Sequence, residues 1–168
     1  MKKSVFYTVL FCELTLIVGC MVYYYPMLPE NMAIHFGADG LPNGWKSKGS
    51  FFVFYGVLVF LLGGIFSGLS SLIPKIPTSL INVPNKEYWF AEERAESSYE
   101  ILAGFFKRMT CALVLFLGLL FVDTCNTNLS TDIRIHYGTF IPLLLLFLSF
   151  VGWNIVWLLR KFNLTSSK

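Results

Sequence analysis

Glu13 makes the sharpest chemical demand in this 168-residue chain, because it interrupts the apolar run Val5–Tyr25. A carboxylate at the centre of a bilayer costs about 2.5 kcal/mol or more even on the mildest insertion scale, so it must face protein or water. Two uses fit. Glu13 could be a proton or cation site, or a counter-charge for a ligand. Alternatively it is a neutral carboxylic acid that donates to a neighbouring helix. No second ionisable residue is expected deep in an apolar run to partner it.

The densest collection of reactive side chains is residues 28–49, LPENMAIHFGADGLPNGWKSKG. His35 and Asp39, with His136 further along, are of metal-ligating types. A metal site needs three or four ligands in defined geometry, and this spacing does not define one. No metal and no cofactor is therefore expected. The plainer reading has His35 bonding its own loop and Asp39 starting a turn. Trp45, Lys46 and Lys48 could contact a lipid head group or an anionic ligand, or form an interfacial belt of aromatic and snorkelling basic residues. The candidate ligand-binding residues are His35, Asp39, Trp45 and Lys48. Ala38-Asp39-Gly40 and Pro42-Asn43-Gly44 are turn signals, since Gly supplies positive φ and Asp or Asn tolerates it. They predict an ordered, folded-back loop of little regular structure, with one short strand at Ala33–Phe36.

A second motif-like segment, Asn85-Lys86-Glu87-Tyr88-Trp89-Phe90, precedes helix-forming residues Ala91–Glu96. Asn85, Lys86, Tyr88, Trp89 and Arg94 are candidates for contact with a cytoplasmic or membrane partner. Tyr88, Trp89 and Phe90 have the composition of an interfacial anchor. Gly64 and Gly68 form a GxxxG pattern, which lets helix backbones approach closely. Packing within the chain is the economical account, and packing between protomers is the alternative.

The elements that must position these residues follow from composition. The chain is 55% hydrophobic and 14% charged, where soluble chains run near ~25% charged. Its apolar residues group into four runs, giving spans at about 5–25, 51–73, 103–122 and 138–159. Each needs roughly 20 residues to cross ~30 Å of hydrocarbon. The third reaches that length only if Lys107 and Arg108 snorkel to the interface. Residues 123–136 then form a short polar loop, and Ala91–Glu96 runs directly into the third span as one long helix.

Basic residues set the orientation. With the N-terminus inside, Lys2, Lys3, Lys75, Lys86, Arg94, Lys107, Arg108, Arg160, Lys161 and Lys168 are inside, against Lys46, Lys48 and Arg134 outside. That bias accounts for the net charge of +3, so no nucleic-acid partner is implied. Met1-Lys2-Lys3 followed by an apolar run also has the form of a secretory signal, and Ile17-Val18-Gly19-Cys20 that of a lipoprotein cleavage box. Glu13 within the run, and its continuation to Tyr25, favour a retained span. Cys12, Cys20 and Cys111 fall in spans as packing residues, with Cys125 outside. The spacings give no zinc site or disulfide framework. Phosphate loop, HExxH, nucleophile elbow and dinucleotide fingerprint are all missing from the sequence.

Leu28-Pro29, His35-Phe36, Gly40-Leu41-Pro42-Asn43-Gly44-Trp45 and Ser47-Lys48 resemble the signature of the bacterial domain-of-unknown-function family 1648. Asn85-Lys86-Glu87-Tyr88-Trp89 is similar to an element of its small members. The likeness spans residues 1 to about 125. This sequence departs from the pattern at Ala33, where a second proline is common, at Gly37, where asparagine is common, and at Asn43, where aspartate is common. The same domain forms the N-terminal half of SdpI-type immunity proteins, which are longer and also signal to a cytoplasmic repressor. This chain is read as lacking their second half. The resemblance implies a bacterial inner-membrane protein, with immunity or signalling as a further implication.

The fold expected is all-α, a single four-span integral membrane domain over residues 1–168. It is N-in and C-in, with an ordered outer loop and a cytoplasmic helical extension of the third span. The expected function is non-enzymatic recognition by the outer loop of a peptide, lipid head group or envelope component. The alternative is a small transporter or membrane enzyme using Glu13. Expected partners are membrane lipids, a protein or peptide, and a second copy of the chain.

Overall fold

The longest element, α4, is the axis of the molecule. It is a helix of 35 residues, Ala95–Leu129, about 52 Å long at 1.5 Å per residue. That exceeds the ~30 Å hydrocarbon layer, so α4 is long enough to cross one with turns to spare. The computed structural model describes residues 1–163; Lys168, counted above among the inside charges, lies outside them. Three further long helices, α1 (Lys3–Tyr24), α2 (Lys48–Leu72) and α5 (Tyr137–Asn163), each pack against α4. All four are long and apolar enough to cross a membrane, the mark of a multi-pass membrane protein. Their outward faces carry bare hydrocarbon, for example Phe11 at 71%, Phe60 at 79% and Leu146 at 70% exposure.

The fold is not purely helical. Residues 31–47 form an antiparallel β-hairpin, β1 (Asn31–Phe36) and β2 (Pro42–Ser47). The expected loop of little regular structure thus holds two strands rather than one. Its turn chemistry is as read. Gly40 has φ +80°, a conformation that costs a glycine little and other residues more. Asp39 Oδ1 accepts from the Leu41 N–H at 3.1 Å. Pairing runs Asn31 to Ser47, Met32 to Lys46 and Ala33 to Trp45, then shifts so that His35 faces Gly44. The extra residue in β1 is a bulge, which re-aims side chains. Met32 and Ala33 are both fully buried, a pattern that simple alternation does not produce. Ser47 ends β2 and also caps α2, its hydroxyl accepting from the Ser50 N–H at 3.3 Å.

The main core lies between α1, α2, α4 and the hairpin. Phe51 stacks on Phe121 (centroids 5.8 Å apart, planes at 9°), with Phe52 and Tyr55 against the same ring. Tyr55 donates its hydroxyl to the Leu117 carbonyl. Cys125, expected outside, is fully buried in α4 within this core. Residues 123–129 continue α4 instead of forming a loop. Their polar side chains fit a helix that has left the hydrocarbon, so polarity there did not mean irregular backbone.

Close helix approach is made by glycines other than those expected. A Cβ at Gly118 would lie 2.9 Å from Ile17 Cγ1, and one at Gly63 would lie 3.3 Å from Val114 Cγ2. At Gly64 and Gly68 nothing lies within 4 Å. The packing inside the chain expected of Gly64 and Gly68 falls to Gly63 and Gly118.

The opposite end of the bundle holds a second, smaller core of Ile73, Ile81, Leu102, Ala103 and Phe162. Asn85 (φ 53°) starts the short helix α3 (Lys86–Trp89). Residues 91–94 are a turn, so α4 begins at Ala95 and the segment from Ala91 is not one uninterrupted helix.

Candidate functional site

One side chain of α4 meets both backbone groups of Ala33 in the hairpin. Asn128, on the last turn of α4, accepts the Ala33 N–H at 2.7 Å and donates to the Ala33 carbonyl at 2.9 Å. A primary amide can do both at once, as a neighbouring strand would. Ala33 stands where the resembled family commonly has proline, which has no N–H to give. The hairpin tip is pinned as well. The Ile135 N–H donates to the Gly40 carbonyl at 3.1 Å, and the Tyr137 hydroxyl to the Ala38 carbonyl at 3.1 Å.

Between the hairpin and the helices this leaves a pocket of about 590 Å³. That size is typical of ligand sites. Ile34 and Phe36 of β1 form one wall, and Phe54, Leu58, Leu120 and Phe140 from three helices form much of the rest. The polar groups are few: Lys46, Ser50, Tyr55, Asp123, Thr124 and Thr127. Asp123 Oδ1 accepts from Thr139 Oγ1 at 2.8 Å, which ties α4 to α5 beside the pocket. An apolar cavity with one cation, one anion and four hydroxyls suits an uncharged or zwitterionic guest with a greasy surface.

The four loop residues singled out from sequence do not line this pocket. His35 Nδ1 is bonded to Asn43 Oδ1 across the hairpin, and Asp39 is occupied by its turn. Lys48 Nζ reaches the Leu28 carbonyl at 3.2 Å and Glu30 at 3.9 Å, and sits 4.9 Å from the Tyr25 ring centre. It closes the chain reversal between α1 and β1. Trp45 is half exposed at 48%. Lys46, two residues before Lys48, is the lysine that enters the pocket. Among the described residues no group of three or more His, Cys, Asp or Glu side chains is placed to hold a metal.

At the other end, the partner-contact candidates mostly bond within the chain. Trp89 Nε1 and Asn85 Nδ2 both donate to the Phe162 carbonyl, at 2.6 and 3.1 Å. They thereby cap the end of α5. Lys86 Nζ reaches the Ser79 carbonyl at 3.4 Å. Arg94 Nε donates to the Tyr88 carbonyl at 2.9 Å, and its guanidinium lies 4.0 Å from the Tyr88 ring centre. Trp89 and Phe90 pack on Phe162 rather than standing out as an anchor.

Glu13 lies apart from the pocket, in a groove on another face of α4. Arg108 lines the same groove, but its Nη1 reaches back to lie 3.6 Å from a Cβ placed at Gly104, beside Met1, and no ion pair joins it to Glu13 among the described residues. Asn128, Asp123 and Lys46 carried little signal in the sequence. Asn128 and Asp123 lie in a stretch whose polarity reads as loop, and Lys46, in β2, is separated from Lys48, the first residue of α2, only by the strand–helix boundary at Ser47.

Residues 10–59 match the family described as Domain of unknown function (DUF1648). The match takes in most of α1, the whole hairpin and the first part of α2, which is where the motif spacing resembled that family. No curated protein and no solved structure matches the chain significantly.

Proposed function

We propose that this multi-pass membrane protein binds an apolar peptide segment beneath its β-hairpin, and that it does so without chemically transforming it. The observation that carries this reading is the hairpin-roofed pocket, with hydrocarbon walls and a rim of Lys46, Asp123 and hydroxyls. A peptide offers donors and acceptors in equal number along its backbone, and both signs of charge at its termini. A phosphate-bearing lipid head group would call for an excess of cations, and the rim has one of each sign. In this reading the hairpin faces outward from a bacterial inner membrane, an orientation that the basic-residue bias supports. Tyr88, 41% exposed, and the Arg94 guanidinium above it are the surface left for a cytoplasmic partner. Immunity or signalling would follow from occupancy of the pocket.

The test is selection of a random-peptide display library against the full chain in lipid nanodiscs. Enrichment of apolar peptides that is lost when Leu120→Trp fills the pocket is the expected result. Enrichment no greater than on empty nanodiscs, or unaffected by Leu120→Trp in a protein with unchanged melting, refutes the reading.

A further inference from the structure

A second cavity, of about 980 Å³, lies at the end of the bundle away from the hairpin. Its walls are the start of α1, the end of α2 and the segment leading into α4 with that helix's first turns. Three lysines line it, Lys2, Lys3 and Lys107, and so do three glutamates, Glu92, Glu96 and Glu100. The two signs share one cavity and do not neutralise each other. The ion pairs among the described residues are Lys48–Glu30, Arg94–Glu93 and Arg134–Asp132, so none of these six side chains pairs within 4.0 Å of another described residue.

The charges are sorted along α4. A Cβ at Gly104 would lie 3.4 Å from the Met1 nitrogen, and one at Gly118 would lie 2.9 Å from Ile17 Cγ1, so α1 and α4 run side by side in one direction. That register sets Lys2 and Lys3 level with the turn from Gly104 to Lys107. Glu100 and Glu96 precede Lys107 in α4 by about 10 and 16 Å along the axis, and Glu92 stands before the helix begins. The lysines adjoin the apolar runs that start at Val5 and Met109, and the glutamates are farther from them. Going outward from the hydrocarbon, the cavity is cationic first and anionic second.

One class of membrane molecule has its charges in that order. In a phospholipid the phosphate follows the glycerol, and a head-group amine lies beyond it, farther into water. The three lysines supply the excess of cations that a phosphate calls for, at a level where no carboxylate lines the cavity. Lys107 and Glu100 are beyond the three- or four-residue spacing at which helix side chains meet, so a phosphate, a two-carbon link and an ammonium fit between them. A primary ammonium has N–H groups to donate to the carboxylates, and hydrogen bonds between charged groups are the strong ones. A quaternary ammonium has no N–H, and a head group without an amine leaves the glutamates facing only a second negative charge.

We propose that this cavity holds the head group of a phospholipid that carries a primary amine, of the phosphatidylethanolamine class. The phosphate lies on Lys3 and Lys107 with Lys2 beside it, and the ammonium donates to Glu100 and Glu96. The acyl chains stay in the bilayer along the outward faces of α1 and α2, which are bare hydrocarbon, as at Phe11 and Leu72. This site is separate from the hairpin pocket and does not depend on that pocket's occupant.

The test is native mass spectrometry of the full chain released from nanodiscs that hold equal amounts of phosphatidylethanolamine, phosphatidylcholine and phosphatidylglycerol with the same acyl chains. Retention of phosphatidylethanolamine about tenfold above either of the others is expected; that ratio corresponds to about 1.4 kcal/mol. Glu96→Gln with Glu100→Gln should bring it down to the level of phosphatidylcholine, and Lys3→Gln with Lys107→Gln should lower retention of all three. Should the glutamine variants fail to fold, stepwise N-methylation of the lipid removes the N–H donors without touching the protein and should lower retention at each step. Equal retention of phosphatidylethanolamine and phosphatidylcholine, or phosphatidylglycerol retained above both, overturns the proposal. So does a preference that survives in the folded glutamine variants, or displacement of the lipid by an equal concentration of soluble glycerophosphoethanolamine.

Discussion

Replacing Asn128 with alanine should release the hairpin while leaving the helices in place. The substitution removes both bonds to Ala33, which is fully buried. Its N–H and C=O would then have no partner unless water enters. Each orphaned group costs about 1–3 kcal/mol, partly recovered as water reaches it, so a local loss of about 2–4 kcal/mol is expected. At 1.4 kcal/mol per decade, that is a roughly 30- to 700-fold increase in local opening. Amide hydrogen exchange of residues 31–36 in nanodiscs reads this directly. Exchange within the buried part of α4 should change far less. Asn128→Asp keeps the acceptor for the Ala33 N–H but sets a carboxylate oxygen against the Ala33 carbonyl, so it should fare no better. Asn126→Ala, which removes an exposed bond to the Tyr24 hydroxyl (2.9 Å), is the control and should cost under about 1 kcal/mol. Unchanged exchange at Ala33 in Asn128→Ala would refute the idea that this amide holds the hairpin down.

Two further outcomes test the packing at either end. Gly118→Leu should destabilise the bundle by about 1–3 kcal/mol through overpacking against Ile17, whereas Gly64→Leu, with nothing within 4 Å, should leave thermal melting unchanged; equal effects would contradict this assignment of the close helix contact. Trp89→Phe keeps the ring against Phe162 but loses the Nε1 donor to its carbonyl, so about 1 kcal/mol should be lost at the end of α5, seen as faster exchange there, with Tyr88→Phe silent.

Much of the architecture is legible in the residue order. Four apolar runs bounded by Pro, Lys and Arg locate the four long helices, because hydrocarbon accepts only segments whose backbone bonds are met internally. Ala38-Asp39-Gly40 and Pro42-Asn43-Gly44 mark a reversal, because positive φ is cheap only at such residues. The spacing from Leu28 to Lys48 points to the family matched over residues 10–59. The polar stretch 123–129 looks like loop but is helix, because leaving the membrane and leaving the helix both raise polarity.

Hydropathy does not tell a lipid-facing side chain from one that faces another helix, since both environments are apolar. For that reason the order of residues did not single out Gly118 over Gly64, or show that Cys125 is buried. It also could not bring together Ala33 and Asn128, 95 positions apart, or Arg108 and Asn154 from two helices. Those meetings depend on how each helix is rotated about its axis and on the two register shifts in the hairpin. Side-chain packing sets both, so the hairpin pocket exists only at the level of the tertiary structure.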